Sequence, residues 1–395
     1  MKNFIFISPN FPASYWKFCS ELKNNGLRVL GIGDCPYEQL KQELRDGLHE
    51  YYKVGNLENY DEVFKAVAFF TYKYGKIDWL ESNNEYWLER DAKLRTEFHI
   101  TTGFMEQDIQ SVKYKSAMKA FYQSANIPVA RYHLVDTYED AVSFANKVGY
   151  PVVVKPDNGV GASSTFRLKN DEEVRNFINT KDNHTYIMEE MVKGTVCTYD
   201  AIIGADGQPL FESGNVTPVS LMDVVNDNQE SIYYLHKEVP EDVRDVGLRT
   251  VAAFGVKSRF VHLEFFRLNE DQEGLGKKGD LIGLEVNMRP AGGFTPDMYN
   301  YGYETDVYKI WADMIAYNKS TKPLGTKRYC AFVGRRDGKT YKMDHNAIMA
   351  KYGHCMKMQD RIPDALSGCM ANVMYVAIFD TEEQMQEYFK DLLGQ

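Results

Sequence analysis

Two apolar runs in the middle of the chain carry the side chains best suited to chemistry. One reads Val261-His262-Leu263-Glu264-Phe265-Phe266. The other reads Leu281-Ile282-Gly283-Leu284-Glu285-Val286-Asn287-Met288-Arg289-Pro290-Ala291-Gly292-Gly293. In an extended strand, residues two apart share a face. Glu285, Asn287 and Arg289 then line one face, and Leu284, Val286 and Met288 the other. Glu264 on a neighbouring strand would bring its carboxylate to the polar face. Mg2+ takes hard oxygen ligands and completes its shell from substrate phosphates. Glu264, Glu285 and Asn287 are therefore candidate ligands for Mg2+ (or Mn2+). Arg289 can hold a phosphate or carboxylate bidentately. A solvated edge strand is the plainer reading of one such segment, but a carboxylate inside Leu-Glu-Phe-Phe is costly to bury without a partner.

Upstream, an apolar strand ends in Lys155 and runs into Pro156-Asp157-Asn158-Gly159-Val160-Gly161-Ala162-Ser163-Ser164. A lysine there can meet phosphates. Gly159 and Gly161 impose no Cβ on the approaching backbone, and Ser163 and Ser164 add hydroxyl donors. Lys115 lies on a helical pattern with Ala117, Met118 and Phe121 on its apolar face; taken alone, it is a solvated lysine. Tyr186–Gly194 is an apolar strand running through Glu189, Glu190, Met191 and Val192 into a turn, and its backbone can offer donors and acceptors to an adenine edge. Ser82–Trp87, which includes Glu85, follows a strand near the start of the chain. Ligands bind at the carboxyl ends of strands in α/β sheets, so this segment is a candidate substrate rim, as is Asn215–Pro218. His262 shares a face with Glu264 and could line the site, although a packed histidine is the plainer reading.

These groups need elements to position them. Residues 3–8 form a buried strand, Tyr15–Leu22 a helix closing at Asn25-Gly26, and Arg28–Asp34 a second strand. This βαβ spacing implies a parallel sheet. A helix around 60–74, a strand at 77–81 and a helix near 85–95 follow. The first turn, Ser8–Pro12, lacks glycine, so a dinucleotide fingerprint is absent. Helices are expected at 112–125, 138–147, 240–253, 304–317, 346–351 and 382–392. Strands are expected at 152–155, 165–168, 186–190, 198–203, 209–213, 261–268, 281–287, 329–333 and 373–378. Glu270–Asp280 is polar and Gly-rich, a mobile hairpin tip.

The 395 residues imply two or three domains. A hydrophobic content of 44% and a charged content of 26% are those of a soluble globular protein. The net charge of −10 argues against general nucleic-acid binding. Six scattered cysteines without a C-x-x-C pair argue against a zinc site or disulfide framework and suit a reducing cytoplasm. No segment approaches the roughly 20 apolar residues of a membrane span, and the opening apolar run stops at Pro9, too soon for a signal peptide.

In this order, the pieces resemble the ATP-grasp superfamily, whose members include biotin carboxylase, D-alanine–D-alanine ligase and the carbamoyl phosphate synthetase large subunit. The family's D-K-x-x-M-K helix is similar to Tyr114-Lys115-Ser116-Ala117-Met118-Lys119, with Tyr114 in place of Asp. Its P-V-V-x-K-P strand and Gly-rich loop match Pro151–Ser164. Its adenine hinge matches Glu189–Val192, and its E…E-x-N-x-R magnesium signature matches Glu264, Glu285, Asn287 and Arg289. A departure falls at Val196, where many relatives carry a Glu for the ribose. The resemblance is to the carboxylate–amine ligase group and covers roughly residues 1–320.

The resemblance implies an α/β and α+β architecture. Its parts are a Rossmann-like pre-ATP-grasp domain (1–111), an ATP-grasp lid subdomain (112–188), a core subdomain with the metal site (189–325) and a small carboxyl-terminal α+β segment (326–395). It implies ATP and Mg2+ as cofactors, small-molecule carboxylate and amine substrates, and a homodimer as a common assembly. Lys115 and Lys155 would hold phosphates, with Lys155 and Arg289 in the catalytic machinery. Arg289, Gly292 and Gly293 would face the acylphosphate or carboxylate, with Glu85 at the substrate rim. The alternatives on this fold are a small-molecule kinase and a non-catalytic nucleotide-binding protein. Neither a glutaminase nucleophile nor a biotin-carrier motif is present, which favours an amine acceptor.

Overall fold

A computed structural model describes residues 1–159, 164–226 and 228–394. Among these residues the strands form three sheets. The first holds β1 (Asn3–Ile7), β2 (Arg28–Gly33), β3 (Glu50–Lys53) and β4 (Trp79–Glu81) in the order β3-β2-β1-β4, all parallel. β1 is buried along its whole length, as expected for a parallel strand covered on both faces. The helix Tyr60–Tyr74 covers one face through Val63, Ala66, Val67 and Phe70.

The second sheet holds β5 (Tyr132–Val135), β6 (Val152–Pro156), β7 (Phe166–Leu168) and β8 (Tyr186–Glu190), antiparallel in the order β5-β8-β6-β7. Helices Tyr138–Val148 and Asp171–Thr180 pack on it through Ala141, Ala145, Val174 and Phe177. Thr137 and Asn170 cap their first turns.

The third sheet contains β9 (Gly194–Ile203), β10 (Pro209–Ser213), β11 (Asn215–Thr217), β12 (Ser231–Leu235), β13 (Arg259–Leu268), β14 (Leu281–Asn287), β15 (Tyr329–Arg335), β16 (Met356–Arg361) and β17 (Val373–Phe379). Its order is β14-β13-β9-β11-β12-β15-β17-β16, with β10 beside β9. It runs without interruption across the break expected at 325/326, through the β12–β15 pairing. The break expected at 188/189 lies inside β8. No described helix is long and apolar enough to cross a membrane.

The elements differ from expectation at several points. The helix expected at 112–125 is two helices, Ile109–Lys113 and Lys115–Ser124, because Tyr114 adopts an extended backbone. The helix expected from 304 starts at Val307: Glu304 is left-handed, and Asp306 accepts from the amides of Tyr308 and Lys309. A helix at Thr295–Tyr303 directly follows Gly292-Gly293. The Glu270–Asp280 tip is not loose. The Gln272 side chain donates to the Met191 carbonyl (3.1 Å) and accepts from the Lys193 amide (3.1 Å), and Lys193 pairs with Glu270 at 2.6 Å.

Candidate active site

The pairing of β13 and β14 sets Glu264 directly opposite Glu285 and His262 opposite Asn287, with a bulge after Glu264. Alternation then sends Leu263, Phe265 and Val286 into the core, all fully buried. The polar side chains share the other face. Asn287 Nδ2 donates to Glu264 Oε1 (3.1 Å), and Arg289 Nη2 donates to Asn287 Oδ1 (3.0 Å). Both carboxylates still reach the cleft, with 24% of the Glu264 side chain and 17% of the Glu285 side chain exposed. Glycine at 283 is required beneath them, since a Cβ there would lie 2.8 Å from the buried ring of Tyr122.

His262 is held from below. Its Nδ1 lies 2.6 Å from Asp200 Oδ1 on β9, and its Nε2 lies 3.3 Å from Glu264 Oε1. Thr198 Oγ1 also donates to Asp200 (2.6 Å). Burial favours the neutral ring, but the Asp200 and Glu264 carboxylates outweigh it and raise the His262 pKa to about 9. Burial pushes the Glu264 carboxyl up; His262, Arg289 and Lys115 together more than reverse this and hold it below the usual value.

The lysines approach from the other side of the cleft. Lys115 Nζ lies 2.9 Å from Glu285 Oε1 and donates to the Gly159 carbonyl at 2.9 Å. Its helix starts where Tyr114 stands in place of the expected Asp, and the cap comes instead from Asp157 of the glycine loop. Asp157 accepts from the Ser116 amide (2.7 Å) and the Ser116 hydroxyl (2.7 Å). Loop and helix are thereby tied together. Lys155, at the end of β6, pairs with Glu189 Oε2 at 2.6 Å, and Lys119 pairs with Glu189 Oε1. Burial alone would raise the Glu189 pKa, but the two ammonium groups hold it at about 2.

The remaining expected residues divide. Glu189 faces the lysines, whereas Glu190 turns to the opposite face of β8, binds the Arg131 guanidinium (2.6 Å) and amide (2.7 Å) and donates its own amide to the Arg131 carbonyl (3.0 Å). Val192 packs against Leu268, Leu275 and Ile282. Gly159 and Ser164 line an open cavity of about 410 Å3 with Asn158, Tyr86, Glu89 and Lys113. Gly161 and Ser163 lie outside the described residues. Gly292 has open space around it, and Gly293 takes a positive φ against Met370. Glu85 is buried. Its Oε1 pairs with Lys113 Nζ (3.3 Å), while Oε2, without a hydrogen-bond partner, lies 3.8 Å from Arg289 Nε. One side of the cleft thus carries two carboxylates and an amide, and cations face them.

Residues 114–192 match the family model described as "Carbamoyl-phosphate synthase L chain, ATP binding domain". The solved L-amino acid ligase from Bacillus licheniformis superposes with a TM-score of 0.69 at 15% identity, covering 100% of this chain and 99% of that one. This chain has the ATP-grasp fold. The biotin carboxylase domain of the Hydrogenobacter thermophilus 2-oxoglutarate carboxylase, solved as a dimer with MgADP, ADP and bicarbonate, shares this ATP-grasp fold. Its TM-score is 0.69 at 14% identity over 99% of this chain and 90% of that one. By sequence, the L-arginine-specific L-amino acid ligase of Bacillus subtilis is 26% identical over 280 residues, which are 68% of this chain. The chain spans 65% of that relative's length.

The donor set of this cleft suits a hard divalent cation: Glu264, Glu285 and Asn287 offer oxygens from two adjacent strands, a partial shell that phosphate oxygens can complete. Three residues of this cleft carry no local signal in the sequence. Lys119 meets its partner Glu189 only across seventy positions. Asp157 sits in a loop segment and reaches Ser116 only across forty-one. Gln272 was hidden in a polar tip, and nothing in its local composition marks it as a brace.

Proposed function

We propose that this chain is an ATP- and Mg2+-dependent ligase that activates a carboxylate as an acylphosphate and joins it to an amine. The observation that carries the reading is the β13–β14 register, which sets Glu264 across from Glu285 with Asn287 and Arg289 continuing the same face. Mg2+ held by Glu264, Glu285 and Asn287 would neutralise charge on the transferring phosphoryl group. Lys115 and Lys155 would leave their carboxylate partners for phosphate oxygens. Arg289 would orient the substrate carboxylate, and the Gly292-Gly293 amides, at the start of the helix Thr295–Tyr303, would face the developing charge. The loop from Asp157 to Ser164 would close the cleft and keep water from the acylphosphate. No protein nucleophile is needed, since catalysis rests on positioning and charge.

Amino acids are the proposed substrates, for both the acid and the amine, because the similar proteins from two Bacillus species are named L-amino acid ligases. A screen of paired amino acids with ATP and Mg2+ tests this reading. A ligase releases inorganic phosphate only when both partners are present. A stable phosphorylated product from one substrate would instead indicate a kinase. The same reading places the protein in the cytoplasm, with its six cysteines free. A homodimer is the expected assembly, since the biotin carboxylase domain above was solved as one.

A further inference from the structure

The helix Lys115–Ser124 carries a second lysine one turn beyond Lys115. Lys119 is 1% exposed, so its ammonium lies beneath the cleft rather than in it. It meets one oxygen of the buried Glu189, while the other oxygen holds Lys155 at 2.6 Å. A buried carboxylate therefore sits between two ammonium groups, one from the helix and one from β6. When Lys155 swings to a phosphate, Glu189 loses half of its compensation. A buried charge left wholly unpaired is strongly destabilising, and with Lys119 in place Glu189 never reaches that state. We infer that Lys119 is a positioning residue that neutralises Glu189 and thereby frees Lys155 for the nucleotide. The inference rests on the nucleotide reading given above.

Calorimetric titration of the full chain with MgATP tests it, in wild type, Lys119→Met, Lys155→Met, Lys119→Met/Lys155→Met and Lys119→Met/Glu189→Gln. In Lys119→Met, Glu189 keeps Lys155 for itself, and the dissociation constant should rise at least about tenfold, the effect of a 1.4 kcal/mol loss. In Lys119→Met/Glu189→Gln nothing competes for Lys155, and most of that loss should be recovered. In the Lys155→Met background, Lys119→Met should add less than about twofold, because coupled residues are not additive. A purely structural Lys119 would lower the unfolding midpoint without this pattern. Wild-type binding with no change in Lys119→Met would overturn this inference alone. So would a double variant no better than Lys119→Met. If Lys119→Met does not fold, Lys119→Met/Glu189→Gln, which leaves no unpaired buried charge, decides: binding near wild type supports the inference and lost binding overturns it. Wild type that binds no nucleotide would overturn the nucleotide reading, and the inference with it.

Discussion

Strands β13 and β14 of the third sheet and β6 and β8 of the second meet at one cleft, yet they hold their charges in different ways. On β13 and β14, Glu264 is fixed by neighbours in its own sheet: Asn287 across the register, and His262 braced by Asp200 on β9. On the second sheet, Lys155 and Glu189 satisfy each other within the sheet, and Lys119, on the separate helix Lys115–Ser124, meets the other oxygen of Glu189. The second sheet also leaves Leu134 and Phe166 partly exposed, one on each face, whereas β13 buries both neighbours of Glu264. A carboxylate locked by its own sheet keeps one geometry. A lysine held by an exchangeable partner can change position when a better anion arrives. On the function proposed above, β13 and β14 would preset the cation site, and β6 and β8 would supply charge that can move.

If this contrast is sound, damage to the preset side should cost most. Glu285→Ala should lower ATP-dependent phosphate release by about a thousandfold while leaving the fold intact, comparable to losing a main electrostatic contact in a closed site. Steady-state turnover together with circular dichroism checks this, and full retained activity would falsify the metal assignment. Lys155→Met, on the exchangeable side, should raise the MgATP dissociation constant by about ten- to a hundredfold, the range for a charge-assisted contact to phosphate; an unchanged constant would remove Lys155 from the phosphate site. Asp157→Ala cuts the tie between loop and helix and should cost about 1 kcal/mol of stability, as for other lost helix caps. Urea unfolding measures it.

A last effect concerns pH. Glu189 has a folded pKa of about 2 against an ordinary 4.5. A depressed carboxyl stabilises the fold fully above its unfolded value and loses that contribution as pH falls through the folded one. The stability gap between wild type and Glu189→Gln should therefore be widest above pH 4.5 and shrink toward pH 2. A gap that stays constant between pH 6 and pH 3 would contradict the buried lysine pairing.

The parts of this arrangement legible in the sequence were those with a short period. Alternation in Glu285-Val286-Asn287-Met288-Arg289 fixed which side chains share a face, and the structure places Asn287 and Arg289 in contact with each other. Long-range partnerships left no such trace. Lys119 and Glu189, or Asp157 and Ser116, meet only because the chain folds back across many residues. The strand Met356–Arg361 escaped because it is an edge strand of mostly polar, exposed residues in which only Met356 and Met358 alternate as half-buried apolar positions. Thr295–Tyr303 could have been found: Pro296 and Asp297 in its first turn are ordinary start signals. The Glu270–Asp280 tip misled because composition reports solvation, not whether one amide such as Gln272 bridges to another segment.

The unbroken third sheet bears on how this molecule can be shortened. A variant stopping at residue 325 would strip β15 from β12 and leave a row of main-chain donors and acceptors facing water, with Ile232 uncovered. Such an open edge invites pairing with other chains. Trimmed versions made for crystallisation or display should therefore cut elsewhere, since the last strands serve as a seal for the lamina on which Glu264 and Glu285 stand.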